Sequence, residues 1–257
     1  MLDREVKGYF DLLHEYKLEA AREFVRPWAQ LVDNLRGRVR NPAKLVGTYL
    51  DEEELLHDFD PSDKRNAGKR QLVLATHYAR ITLLYILGDH EGAELDRVKH
   101  ETIEPEGSTF ILKFFHAAMA TLNCLALAGQ TPSRWYRRQM IGKSRRYIKL
   151  VREYGKGGSP NTPPLLALFQ AERLSISGRH GKAALLYADA IHGFQKGQFH
   201  LFEAIANERL ARCLSTTPRT IDDRTKTKEA SLYTALAKFE AFGATVKVEQ
   251  LRRELGN

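Results

Sequence analysis

Apolar side chains recur three and four residues apart along almost the whole chain and nowhere alternate with polar ones, so helices are predicted throughout and no sheet. The clearest stretch is Pro163 to Ala190. Leu165, Leu168, Phe169, Ala171, Leu174 and Ile176 give one helix an apolar side, and Gly178 ends it where φ must turn positive. The helix that follows carries Ala183, Tyr187 and Ala190, spaced four and three apart. Gly88, five residues before Ala93, repeats the offset between Gly178 and Ala183. There Arg97 and His100 stand in place of the Tyr and Ala, which makes this a degenerate copy.

The remaining elements follow in order. Val6, Tyr9, Phe10 and Leu13 mark one face of a first helix. A second runs from about Leu18 to Leu35 and is closed by Gly37, with a kink or break expected near Val25 and Arg26 because of Pro27. Asn41 to Thr48 is a connector, and Asp51 caps a short acidic helix to Phe59. After a polar loop at 60–68, Gln71 to Leu87 is a strongly apolar helix ended by Gly88, and its partner starts near Glu91. A turn at Glu104 to Ser108 leads to the most hydrophobic helix, Thr109 to Ala128, stopped by Gly129. Pro132 opens a basic helix, and Gly155 to Pro164, with its glycines and prolines, reads as a hinge or loop. Gln198 to Leu214 is a helix on Phe199, Phe202, Ile205, Ala206 and Leu210, and 215–227 is a polar, flexible loop. Ala230, Ala237 and Phe239 mark a last long helix, Gly243 breaks it, and Val246, Val248 and Leu251 supply a terminal one.

The series Gly, Ala, Tyr, Ala matches the second-helix pattern of a tetratricopeptide repeat, in which Ala lets two helices approach and Tyr fills the space above them. Helix pairs of roughly 35 to 45 residues without strands predict an all-α fold: a right-handed α-solenoid of antiparallel, tetratricopeptide-like helix pairs. We expect 11–12 helices in a single domain over 1–257, with possible sub-blocks at 1–130 and 131–257. Gly88, Ala93, Ala171, Gly178, Ala183, Tyr187, Ala190 and Gly243 are the expected packing positions.

Composition changes this picture in one place. The net charge is +8, and nine basic residues against the single acid Glu153 between Arg134 and Lys156 account for all of it. Basicity is thus a property of one helix, and the high pI alone does not argue for nucleic acid. Tyr136, Met140, Tyr147, Val151 and Tyr154 fall on one side of that helix, and Arg134, Arg138, Arg145, Lys149 and Arg152 on the opposite side. These five read either as a solvated helix face or, functionally, as the expected partner-binding residues, for an acidic protein surface or for phosphates. The tyrosines point to the core side, which leaves the stripe without stacking aromatics and weakens the single-strand reading.

Other chemistry is thin. Gly155 to Asn161 has the glycines and lysine of a phosphate loop but neither their order nor a preceding strand. No Gly-x-Ser-x-Gly elbow is present. The nine histidines show no ligand spacing, and His77 and His116 sit in apolar helices as core residues do. No catalytic residue, metal site or cofactor is therefore expected, and the chain is read as a non-enzyme. Cys124 and Cys213 are expected to be reduced, packed thiols. Phe110 to Ala128 is interrupted by Lys113, His116 and Asn123 and reads as a buried helix rather than a membrane span. The N-terminus has no apolar signal core, so a cytoplasmic location without membrane insertion is expected.

Several segments carry a resemblance. Asn41-Pro42 with Leu45 to Leu56 contains a Gly-x-Tyr followed by Asp51-Glu52-Glu53. Phe114 to Leu127, Arg134 to Arg152 and Pro160 to Gly178 form a helix, a basic helix, and a Pro-Asn loop leading into a Leu-rich helix. Phe202 to Ala211 holds Glu203-Ala204-x-Ala206-Asn207-Glu208, and Phe242 to Leu251 holds Gly243-Ala244-x-x-Lys247-Val248-x-x-Leu251. Together they resemble the helical repeat region of large signalling proteins that join a serine/threonine kinase-like domain, a P-loop ATPase domain, a GAF sensor and a histidine kinase. The resemblance covers nearly the whole chain but none of those other domains, so it implies no catalytic residue. It implies a scaffold in signal transduction whose partners are proteins or neighbouring kinase or ATPase domains. Nucleic-acid binding through the helix at 134–152 is the alternative.

Overall fold

The structure is a computed structural model and describes residues 2–60, 62–63, 66, 68–103, 110–215 and 221–256. It is all-helical. In chain order the elements are α1 (Leu2–Glu15), α2 (Glu19–Leu35), α3 (Glu52–His57), α4 (Arg70–Leu87), α5 (His90–Ile103) and α6 (Phe110–Gln130). They continue with α7 (Arg134–Gly155), α8 (Thr162–Ile176), α9 (His180–Lys196), α10 (His200–Ser215), α11 (Ile221–Phe242) and α12 (Thr245–Leu255). Among the described residues there is no strand, and a single isolated bridge joins Val46 to Asp51.

Neighbouring helices pack as pairs, α4 on α5, α6 on α7, α8 on α9 and α10 on α11. The second helix of successive pairs buries the same spacing. Met140, Ser144, Tyr147 and Val151 of α7 and Ala183, Tyr187, Ala190 and Phe194 of α9 lie four, three and four apart, and all are buried. In α5, Ala93, Arg97 and His100 occupy the equivalent inward places and are equally buried. Ala171 is buried on α8 opposite this row. Helices α4 and α6 are buried almost all round and form the centre of the core. The apolar window of α6, Leu112–Gln130, is long enough to cross a membrane, but 83% of it is buried inside the protein.

Gly178 follows α8 at φ 76° and Gly88 follows α4 at φ 88°, the left-handed conformation that ends each helix and turns the chain into its partner. Asp51 caps α3 by accepting from the amides of Glu53 and Glu54. The connector before α3 is strapped to α2. Asn34 Nδ2 donates to the Pro42 carbonyl at 3.0 Å, and Gln30 Oε1 accepts from the Tyr49 amide at 3.0 Å. A Cβ on Gly47 would lie 2.6 Å from the Gln30 amide nitrogen, so a larger residue there must displace the Gln30 side chain from its bonds to the connector.

Helix α12 does not simply extend the row of pairs. It packs on α11 and also returns to α2 and α4. Gln250 Nε2 donates to the Leu87 carbonyl at 3.5 Å, and the left-handed Gly243 precedes α12 beside the Arg36 side chain.

Several boundaries differ from those expected. Helix α2 runs unbroken through the buried Pro27, because Phe24, Trp28, Leu31 and Leu35 pack on the core and outweigh one missing amide bond. Gly129 lies inside α6, which continues to Gln130; Ile176 of α8 comes within 3.6 Å of where its Cβ would be. Helix α7 starts at Arg134 with Ser133 as its cap, so Pro132 precedes the cap instead of opening the helix. Pro163 and Pro164 belong to the first turn of α8, leaving 156–161 as the connector. Residues 221–227, read as loop, are the start of α11, and Ser215 ends α10; 216–220 lie outside the described residues, as do the expected turn at 104–108 and parts of the loop at 60–68. The segment 221–242 contains no Gly or Pro, and such a polar stretch extends a helix as readily as it makes a loop. The buried side of α11 is Leu232, Ala235 and Phe239; Ala230 and Ala237 are exposed.

Candidate functional site

The basic face of α7 follows from its buried stripe. With Met140, Ser144, Tyr147 and Val151 turned inward, the cations are forced to the rim or to the far side. They divide into two groups. Arg137 folds back onto the end of α6, donating to the carbonyls of Ala128 at 3.1 Å and Thr131 at 2.9 Å. Lys143 reaches Glu94 at 2.8 Å, Arg146 lies 3.8 Å from Glu101, and Lys156 pairs with Glu153. The other five, Arg134, Arg138, Arg145, Lys149 and Arg152, are exposed. None of them makes an ion pair or a side-chain hydrogen bond among the described residues.

Two of these five line a cleft of about 610 Å³ between α7 and α8. Arg145 and Arg152 form one wall, and Arg173 and Arg179 form the other. Buried Ile148 and Phe169, with half-buried Leu166 and Leu174, make an apolar floor. No acidic residue lines it, and neither Arg173 nor Arg179 has an ion-pair partner among the described residues. Arg134, Arg138 and Lys149 lie outside the cleft on the exposed surface of the same helix. Arg173 and Arg179 were not expected. Gln170, Arg173 and Ser177, three and four apart, form a polar stripe on α8 that points to this surface, but the stripe names no neighbour until α7 is packed against it.

Helix α7 also carries one exposed aromatic, which the reading of its tyrosines did not include. Trp135 is 71% exposed, in sequence beside Arg134 and three residues before Arg138, whereas Tyr147 is buried and Tyr136 and Tyr154 are half-buried.

Behind the cationic face lies a buried charge network. Arg97 pairs with Glu94 at 2.6 Å and Glu101 at 2.7 Å, and donates to the Tyr147 hydroxyl at 2.7 Å. The Tyr147 hydroxyl in turn donates to Glu101. Burial works against ionising Glu94, yet the hydrogen bonds from Arg97 and Lys143 hold it below the usual carboxylate range. Burial also raises Tyr147 above the ordinary phenol range. The acids and the guanidinium satisfy one another, so the network joins α5 to α7 and presents no reactive group. Alongside it, His100 and His116 stack with ring centroids 3.9 Å apart, and burial, with His100 and Arg97, holds His116 well below the usual imidazole range. His77 Nδ1 lies 3.0 Å from Asp96, which also accepts from Arg80 at 2.7 Å. No cluster of three or more His, Cys, Asp or Glu among the described residues is placed to hold a metal ion. Cys124 and Cys213 are buried, and burial pushes the Cys124 thiol up to about 12, out of the reactive range.

A second cavity, of about 360 Å³, lies where α2, α4, α6, α10 and α11 converge. Trp28, Tyr78, Phe115, Phe199 and Phe242 line it, almost without polar atoms to orient a substrate.

No family model, no curated protein and no solved structure matches the chain.

Proposed function

We propose that this chain is a non-catalytic helical-repeat scaffold that binds protein partners in signal transduction. Its arrangement is read as a right-handed, tetratricopeptide-like α-solenoid, and the recurring four-three-four spacing of buried residues in α7 and α9 supports that reading. The kinase, ATPase and sensor context comes from the resemblance carried by Glu203 to Glu208 and Gly243 to Leu251.

One observation carries the functional reading: four of the nine cations on and around α7 are used within the fold, and the five of the exposed stripe are left uncommitted. Charge held at a surface without internal partners serves recognition and steering more than stability. The test is affinity capture with the full chain as bait, repeated with Arg134, Arg138, Arg145, Lys149 and Arg152 all changed to Glu. Recovery of a defined signalling protein that is lost on reversal supports the reading. Recovery unaffected by reversal overturns the assignment of the surface.

Exposed Trp135 beside Arg134 favours a second reading, nucleic-acid binding through the same helix. It predicts that labelled single-stranded DNA binds with a steep salt dependence and that Trp135→Ala weakens it. Absence of binding at low salt overturns it.

A further inference from the structure

We infer that the cleft between α7 and α8 is a docking site for an acidic amphipathic protein segment, one that places apolar side chains on the floor and carboxylates against both walls. This rests on the scaffold reading and names the chemistry of the partner.

Charge is the first argument. Arg145 and Arg152 face Arg173 and Arg179 across the cleft with no acid lining it. Four guanidinium groups brought together without a counter-charge repel one another, and carboxylates entering between them relieve that repulsion. Guanidinium also suits this purpose better than ammonium, because its planar fork takes a carboxylate by two parallel hydrogen bonds.

The floor is the second. Half-buried Ile141, Leu166 and Leu174, closed beneath by buried Ile148 and Phe169, offer apolar surface that phosphates and sugars would leave without a partner. Phe169 is buried, so it presents no ring face on which a base could stack. Leu, Ile or Met side chains from a peptide cover such a floor and gain from leaving water.

Spacing is the third. Arg145 and Arg152 are seven residues apart on one helix, so their Cα atoms are separated by about 10 Å along the axis. Carboxylates two turns apart on a docked helix match that interval. The occupant is therefore a helix with an apolar stripe flanked by acids, the groove-bound mode in which anchors recur every three or four residues.

The experiment uses a fluorescein-labelled synthetic helical peptide with Leu at heptad positions flanked by Glu. A scrambled peptide of the same composition and a single-stranded oligothymidine are the comparisons. The full chain is tested as wild type, as Arg145→Glu with Arg173→Glu, and as Lys182→Glu with Lys196→Glu; the last pair makes the same charge change on α9, outside both the cleft and the α7 stripe. All four positions are exposed, and circular dichroism checks that the helices persist. We expect the stripe peptide to bind with a salt-dependent affinity that drops by about tenfold or more in the cleft pair, by less than about twofold in the outside pair, and by about tenfold for the scrambled peptide. Equal losses in the two variants, equal binding of the scrambled peptide, or oligothymidine binding that outcompetes the peptide would each overturn the proposal. The scaffold reading fails separately. If the peptide does not bind but a signalling partner is still captured and lost on reversing Arg134 and Arg138, the cleft assignment is wrong and the scaffold stands.

Discussion

Lys247 of α12 places its ammonium 2.8 Å from Oε1 of Glu208 on α10, with both side chains largely removed from water. The same oxygen accepts from Arg212 at 2.8 Å. Burial alone would raise the Glu208 carboxyl, but Lys247 and Arg212 hold it below the usual range. Lying 39 residues apart in sequence, Lys247 and Glu208 join α12 to α10. We expect Lys247→Ala to destabilise the chain by about 2 kcal/mol, because buried Glu208 loses one of its two cations and keeps Arg212, whereas Lys247→Met with Glu208→Leu costs less. Urea unfolding of the two variants measures the contrast. Equal losses would show that packing, not charge, sets the role of this pair.

Acid should weaken the fold before the carboxylates titrate. Burial, and secondarily Arg209, depresses His90 from 6.5 to about 4. An imidazole depressed in the folded state contributes its full stability above the unfolded value. That contribution is lost as pH falls from about 6.5 to about 4, up to roughly 3 kcal/mol. Glu94, Asp96 and Glu208, all held low, add their own loss as pH falls further through the carboxylate range. Thermal melts across this window should show a slope that flattens in His90→Gln; an unchanged slope would move the effect to other groups.

Two glycines separate propensity from packing. A Cβ on Gly142, in the interior of α7, meets nothing within 4 Å, whereas one on Gly193 of α9 would lie 2.7 Å from Cβ of Pro164. We expect Gly142→Ala to stabilise the chain by about 1 kcal/mol. Gly193→Ala should destabilise it by about 1–3 kcal/mol, because α8 and α9 must separate to admit the methyl group. Melting temperatures moving in the same direction would contradict this.

Most of the architecture was legible because it is local. Gly88 and Gly178 sit where helices must stop, and Ala183, Tyr187 and Ala190 fall on one face by spacing alone. Arg97 shows where local reading fails. In sequence it looks like decay of a repeat, yet its position is as buried as Tyr187, and it is tolerated because Glu94, Glu101 and Tyr147 all reach it. Tyr147 lies 50 residues away, so no window of sequence contains the reason. The cleft has the same character. Arg145 and Arg152 were visible as a stripe, but Arg173 and Arg179 become its opposite wall only when two helices pack. The break at Pro27 and the stop at Gly129 do not occur, because single-residue propensities weigh less than the faces buried around them.

Loss of α12 should be felt at both ends of the chain. Truncation after Gly243 removes the contacts to α11 and also those to α2 and α4. Hydrogen exchange should therefore speed up in α2 and at the end of α4 as well as in α11. Changes confined to α11 would mean that the return contact contributes nothing to stability.

The contact between Gln250 and Leu87 spans 163 residues of sequence. A chain made on the ribosome finishes α2 and α4 long before α12 has left the exit tunnel, so the surfaces that α12 covers stay open to water and to other chains through most of synthesis. The pairs in between can form as they emerge, since their contacts are local, but the docking of α12 must wait until Leu255 has emerged. Closure of this kind makes α12 the element on which burial of the α2 and α4 faces depends: until it docks, the helix pairs can be formed while those faces stay exposed, as surfaces of incompletely folded chains are.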